Sequence, residues 1–97
     1  MKKPTQAQIK EWKAEYGDIF KIAVEDKIAY LHSPDRKTLS YATSVGGKDP
    51  LKFNEIILNN CWLDGDEEIK TKDAYFLAVS GKLADIIQVK EAKLEKL

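Results

Sequence analysis

The stretch 49–62, Asp-Pro-Leu-Lys-Phe-Asn-Glu-Ile-Ile-Leu-Asn-Asn-Cys-Trp, constrains the fold more than any other part of the chain. Asp49 is suited to capping free backbone N–H groups, and Pro50 to the first helical position, where a missing N–H costs nothing. At 3.6 residues per turn the polar side chains Lys52, Glu55 and Asn59 fall on one narrow stripe. Leu51, Phe53, Ile56, Ile57, Leu58, Cys61 and Trp62 cover most of the remaining circumference. A helix apolar nearly all round must lie at the centre of its domain or lend part of its surface to a partner.

Ninety-seven residues supply one domain and one core to surround that helix. The reading is a single α+β domain over 1–97, mainly helical, with one β-hairpin and about four helices. It divides into an amino-terminal helix in 1–17, the hairpin in 18–32 and a helical region in 33–97. Thr5 and Gln8 form a capping box, Ile9, Trp12 and Tyr16 share one face, and Gly17 ends the first helix. That helix is expected to pack on the core, with a detachable terminal arm as the alternative. Phe20, Ile22 and Val24 alternate with polar or small residues, Glu25-Asp26-Lys27 interrupts, and Ile28-Ala29-Tyr30-Leu31 resumes, which is a hairpin pattern. A three-residue loop sets Val24 opposite Ile28 and Ile22 opposite Tyr30; a two-residue loop shifts the register by one, and both stay open.

Ser33-Pro34 reads as the start of a second helix, with Ser33 as cap and Asp35 near the positive helix end. Leu39, Ala42 and Val45 are expected inside, with Tyr41 flanking them. Gly46-Gly47-Lys48 makes an interhelical turn, since the spacing of a phosphate-cradling loop is absent. The acidic run from Leu63 to Glu68 reads as a solvated loop. Its calcium-loop pattern fails at Ile69 and Tyr75, where Gly and Glu belong. From Thr71 or Asp73 a final helix is expected to reach the chain end. Tyr75, Phe76, Val79, Leu83, Ile86, Ile87, Leu94 and Leu97 form its stripe, Gly81 falls in mid-helix, and the spacing from Ser80 to Leu97 leaves a coiled coil open. Ile87, Leu94 and Leu97, beyond the reach of a small core, are the candidate protein-binding residues.

The composition, 43% apolar and 33% charged, is that of a folded domain. Sixteen basic and sixteen acidic residues cancel, removing the field that strong nucleic-acid or anionic-membrane binding needs. A weak nucleic-acid contact would centre on Lys2, Lys3, Lys10 and Lys13 around Trp12. Arg36 is the only arginine, so bidentate phosphate recognition is poorly supplied. Cys61 is the only cysteine and is expected to be a buried hydrophobe. His32 is the only histidine and reads as a strand-end residue, and one His with one Cys makes no zinc site. No nucleophile motif, metal set or cofactor motif is present, so neither enzyme activity nor a cofactor is expected. No run is long enough to span a bilayer and no signal peptide follows Met1, so the expected compartment is the cytoplasm.

The ordered motifs carry a resemblance. The hairpin ending Ala29-Tyr30-Leu31 is followed by Pro34-x-Arg36-x-Thr38-Leu39. Then come Asp49-Pro50-x-x-Phe53-x-Glu55-x-x-Leu58-x-x-Cys61-Trp62 and Asp73-x-x-Phe76, leading to Leu83-x-x-Ile86-Ile87. Over 18–97 the chain resembles the small tail assembly chaperones of long-tailed bacteriophages and prophages. The resemblance implies a non-enzymatic protein that binds the tape-measure protein, and often the tail-tube protein, in the host cytoplasm before tail assembly. Proteins of this type are often made with a longer frameshifted partner. Self-association is a further expectation. The alternatives are a host or mobile-element protein-binding adaptor, or a weak nucleic-acid-binding module.

Overall fold

The computed structural model describes residues 4–87 and 91–97 of the chain. In order, the elements are α1 (Gln6–Tyr16), β1 (Ile19–Val24), β2 (Lys27–His32), α2 (Arg36–Gly46), α3 (Pro50–Cys61), β3 (Trp62–Gly65), α4 (Glu68–Thr71), α5 (Asp73–Ser80) and a 3₁₀ turn at Leu83–Ile86. The fold is α+β, with a three-stranded antiparallel sheet in the order β1-β2-β3.

The core forms around α3. Asp49 caps it, its carboxylate accepting from the Leu51 and Lys52 N–H groups, and Pro50 opens the first turn. Ile56, Ile57, Leu58 and Cys61 are buried among Ala29, Leu31, Ala42, Ile69, Val79, Leu83 and Ile86. The α2 helix packs along α3, and Gly46 makes the approach possible: a Cβ there would lie 2.6 Å from the Phe53 backbone nitrogen.

The start of α2 differs from the expectation. Asp35, not Ser33, is the cap, its carboxylate accepting from the Thr38 N–H at 2.7 Å, so the helix begins at Arg36 and Pro34 stays outside it. That phase turns Leu39, Ala42 and Gly46 inward at helical spacing and leaves Tyr41 and Val45 exposed. Val45 was expected inside.

The hairpin takes the two-residue loop. Val24 pairs with Lys27, Ile22 with Ala29 and Phe20 with Leu31. Glu25 turns the chain with φ 54°, the left-handed region that short hairpin loops require. Phe20, Ile22, Val24, Ala29 and Leu31 face the core, while Ile19, Lys21, Ala23, Ile28, Tyr30 and His32 share the opposite face. The α1 helix lies over that second face without burying any of its own residues. The Trp12 ring sits 6.1 Å from Tyr30, and Tyr16 stacks on His32 with centroids 4.2 Å apart.

The acidic stretch is not a loop. Trp62 leaves the helix and begins β3, which joins the open side of β2. The sequence pattern failed because this strand is four residues long, has no alternation and shifts register between Tyr30 and Leu31. Gly65 adopts φ 155°, and Asp66 clasps β2 just beyond it. The Asp66 carboxylate accepts from the Ile28 N–H, and its own N–H donates to the Ile28 carbonyl, both at 2.9 Å.

The final helix is also shorter than expected. It ends at Ser80, whose hydroxyl donates to the Phe76 carbonyl, and Gly81 follows. Bonds of 3₁₀ type from Lys82 to Val79 and from Asp85 to Lys82 tighten the next turn. That turn places Leu83 and Ile86, three apart, together in the core. Residues 91–97 have no regular secondary structure and are exposed throughout. The expected heptad seam is therefore interrupted; Lys90, one of its positions, lies outside the described residues.

Candidate functional site

The three residues singled out from the sequence do not share a helix. Ile87 is half-buried just after the 3₁₀ turn, its N–H bonded to the Ala84 carbonyl. Leu94 and Leu97 are fully exposed on the non-helical segment 91–97. The helical stripe that would have aligned them is absent, because Gly81 and the 3₁₀ turn end the helix before it reaches them.

A better-formed surface lies between α3 and the α4–α5 pair. There a groove of about 380 Å³ is walled on one side by Leu51 and on the other by Phe76 and Leu77. Leu51 is 48% and Leu77 53% exposed, large apolar side chains facing water from two different helices. Each follows from its helix: Leu51 lies in the first turn of α3, before that helix enters the core, and Leu77 follows Phe76, which packs against the core.

Charged groups of both signs line the same groove. Lys52 pairs with Glu55 at 3.5 Å, and Lys70 pairs with Glu67 at 3.7 Å while its ammonium sits 4.2 Å from the Trp62 ring centroid. Asp49 and Asp73 stand at the helix starts. Apolar walls with a charged rim suit a partner's amphipathic segment. Sequence reasoning missed Leu51 and Leu77 as site residues. The available signal was the surplus apolar surface of 49–62, which emerges at Leu51.

Side chains with chemical potential elsewhere have structural partners. Burial pushes the Cys61 thiol up to about 12, with the Asp35 carboxylate adding to it, so no reactive thiolate is on offer. His32 Nδ1 donates to the Ser33 carbonyl at 2.8 Å while its ring stacks on Tyr16. The hydrogen bond that the Lys27 ammonium donates to Glu68, then the charge of Asp26, holds its pKa above the ordinary lysine value. The Glu25 charge, then burial, raises the Tyr75 hydroxyl, which donates to Glu25 at 3.3 Å. In the acidic stretch Asp64 accepts from the Gly65 N–H, Asp66 holds β2, and Glu68 pairs with Lys27 and Lys72.

Lys10 and Lys13 lie on the exposed side of α1, with the half-buried Trp12 between them packed on Tyr30; Lys2 and Lys3 lie outside the described residues. Among the described residues no three His, Cys, Asp or Glu side chains cluster as a metal site, and no helix is long and apolar enough to cross a membrane. Compared with known proteins, the chain matches no protein-family model, no curated protein and no solved structure.

Proposed function

We propose that this chain is a non-enzymatic protein-binding domain of the tail assembly chaperone type that its sequence resembles. It acts in the cytoplasm of a bacterial host and holds an amphipathic helical segment of a tape-measure protein, or a surface of a tail-tube protein. The observation that carries this reading is the pair of half-exposed leucines, Leu51 and Leu77, on facing walls of one groove with charges of both signs around them. A client helix with apolar residues at positions i, i+3 and i+7 would cover both leucines and leave its polar face to the solvent. Leu94 and Leu97 add a second apolar contact, three residues apart, on the exposed terminal segment.

The test is titration of the full chain with helical segments tiled along a tape-measure protein encoded beside it, read by calorimetry. Leu51→Ser and Leu77→Ser should each weaken binding about tenfold while leaving the melting temperature nearly unchanged, because both side chains already face water. Removing 88–97 should weaken binding further. Full affinity in the Leu51→Ser, Leu77→Ser double variant would rule out the groove, and absence of binding by every segment would rule out the helical client.

A further inference from the structure

We propose that β1 is a self-association edge, pairing antiparallel with β1 of a second copy about a two-fold axis at Ile22. The strand lies at the open side of the sheet, and its direction of pairing is fixed by β2. Ile28 turns both its N–H and its carbonyl to Asp66, away from β1, so its partner Ala23 belongs to a pair without ladder bonds. Alternation along the strand then turns the N–H and carbonyl groups of Ile19, Lys21 and Ala23 outward. Among the described residues no hydrogen bond outside the ladder engages them.

The surroundings suit a copy of the same strand. A groove of about 330 Å³ runs beside β1, with Phe20, Ile22, Leu31 and Ile86 along it and Lys82 and Asp85 also lining it. An axis at Ile22 sets Ile22 against Ile22 and Phe20 against Val24 on the core side, and Lys21 against Ala23 on the other. An axis at Lys21 would oppose two lysines, and one at Ala23 would need Glu25, which has left the strand with φ 54°. An isologous contact must be self-complementary: the axis at Ile22 brings apolar side chains together on the core side, sets Lys21 against Ala23 and not against a second lysine, and the groove carries Asp85 as an anion beside Lys21 and Lys82. The result is a continuous six-stranded sheet with both cores on the same side. The opposite edge, β3, is four residues long with an irregular register, and is the poorer template.

The test uses the full chain in sedimentation equilibrium, with amide exchange followed at low and high protein concentration. The wild-type protein should form a dimer as concentration rises, and the amides of Lys21 and Ala23 should become protected in parallel, while that of Ile22, already turned to β2, should change little. Ala23→Pro removes an outward N–H that the monomer does not use, so it should weaken dimerisation at least about tenfold with the circular dichroism preserved. Ala23→Val should dimerise as the wild type does. A protein monomeric up to about millimolar concentration overturns the proposal, and so does a dimer in which the Lys21 and Ala23 amides stay unprotected. Because the exchange measurement uses unaltered protein, it decides the matter even where the proline variant fails to fold. If the dimer forms through 91–97 instead, removing that segment abolishes it and Ala23→Pro does not, which also overturns the proposal.

Discussion

Replacing Gly65 by Ala tests whether β3 is held to the sheet as tightly as its geometry says. A Cβ at Gly65 would fall 2.6 Å from the Ala29 Cα, 2.7 Å from the Ile28 carbonyl oxygen and 2.8 Å from the Ala29 Cβ. These atoms belong to the central strand, so no flexible side chain can swing aside, and φ 155° is itself a glycine conformation. The strain can be relieved by moving the end of β3 away from β2. That movement gives up the two hydrogen bonds between Asp66 and Ile28. Overpacking costs about 1–3 kcal/mol. Loss of the clasp, which includes one bond to a carboxylate, adds about 1–2 kcal/mol. A total near 3 kcal/mol in a domain of this size lowers the melting temperature by about 10–20 °C.

Urea unfolding followed by circular dichroism reads this directly. The control is Asp66→Ala, which removes the carboxylate acceptor alone and should cost about 1–3 kcal/mol. Since both changes open the same clasp, the double variant should lose less than the sum of the two. A Gly65→Ala protein within about 1 kcal/mol of wild type, or strict additivity with Asp66→Ala, would refute the reasoning.

Burial of Cys61 makes two further expectations. With the thiol raised from 9.0 to about 12, labelling of the native protein at pH 8 should be at least about a thousandfold slower than in urea, and Cys61→Ser should cost about 1–3 kcal/mol. Rapid labelling of folded protein would contradict both. For pH, the Thr38 backbone N–H, with its hydroxyl, holds the exposed Asp35 carboxyl below its ordinary 3.8. The cap's contribution is therefore full above about pH 5 and is lost as pH falls from there through the lowered value. Melting temperatures of wild type and Asp35→Ala should differ at pH 6 and converge at acid pH; a constant gap would refute the assignment.

How much of this was legible in the sequence follows the range of the interactions. The Asp49-Pro50 start, the burial of Cys61 and the hairpin strands were readable, because caps and periodic patterns are local. The hairpin loop length was not, since Glu25 carries no mark of the left-handed conformation that it adopts. β3 escaped because what makes Trp62–Gly65 a strand is the open side of β2 more than thirty residues earlier, met through a Gly and an Asp that read locally as turn residues. The final helix was drawn too long because its heptad spacing continues through Gly81, while the 3₁₀ turn that buries Leu83 and Ile86 depends on the core beneath it. For the candidate site, Leu94 and Leu97 were identified as exposed, but the facing of Leu51 and Leu77 is a product of helix packing that no single segment encodes.

The Asp66 clasp also sets an order of events in folding. The β1–β2 hairpin closes over two residues, whereas Asp66 meets Ile28 across 38 positions, with α2 and α3 in between. Closing the longer loop costs more chain entropy and is offset only when those helices have packed. Until then β2 is itself an open edge, so a newly made chain passes through a stage with two templates for strand addition. Two adjacent amides distinguish the stages: Ala29 pairs with Ile22 within the hairpin, and Ile28 bonds to Asp66 only when the sheet is complete. Pulse-labelled refolding should protect Ala29 first, and equal protection times at the two amides would show that the sheet forms in a single step.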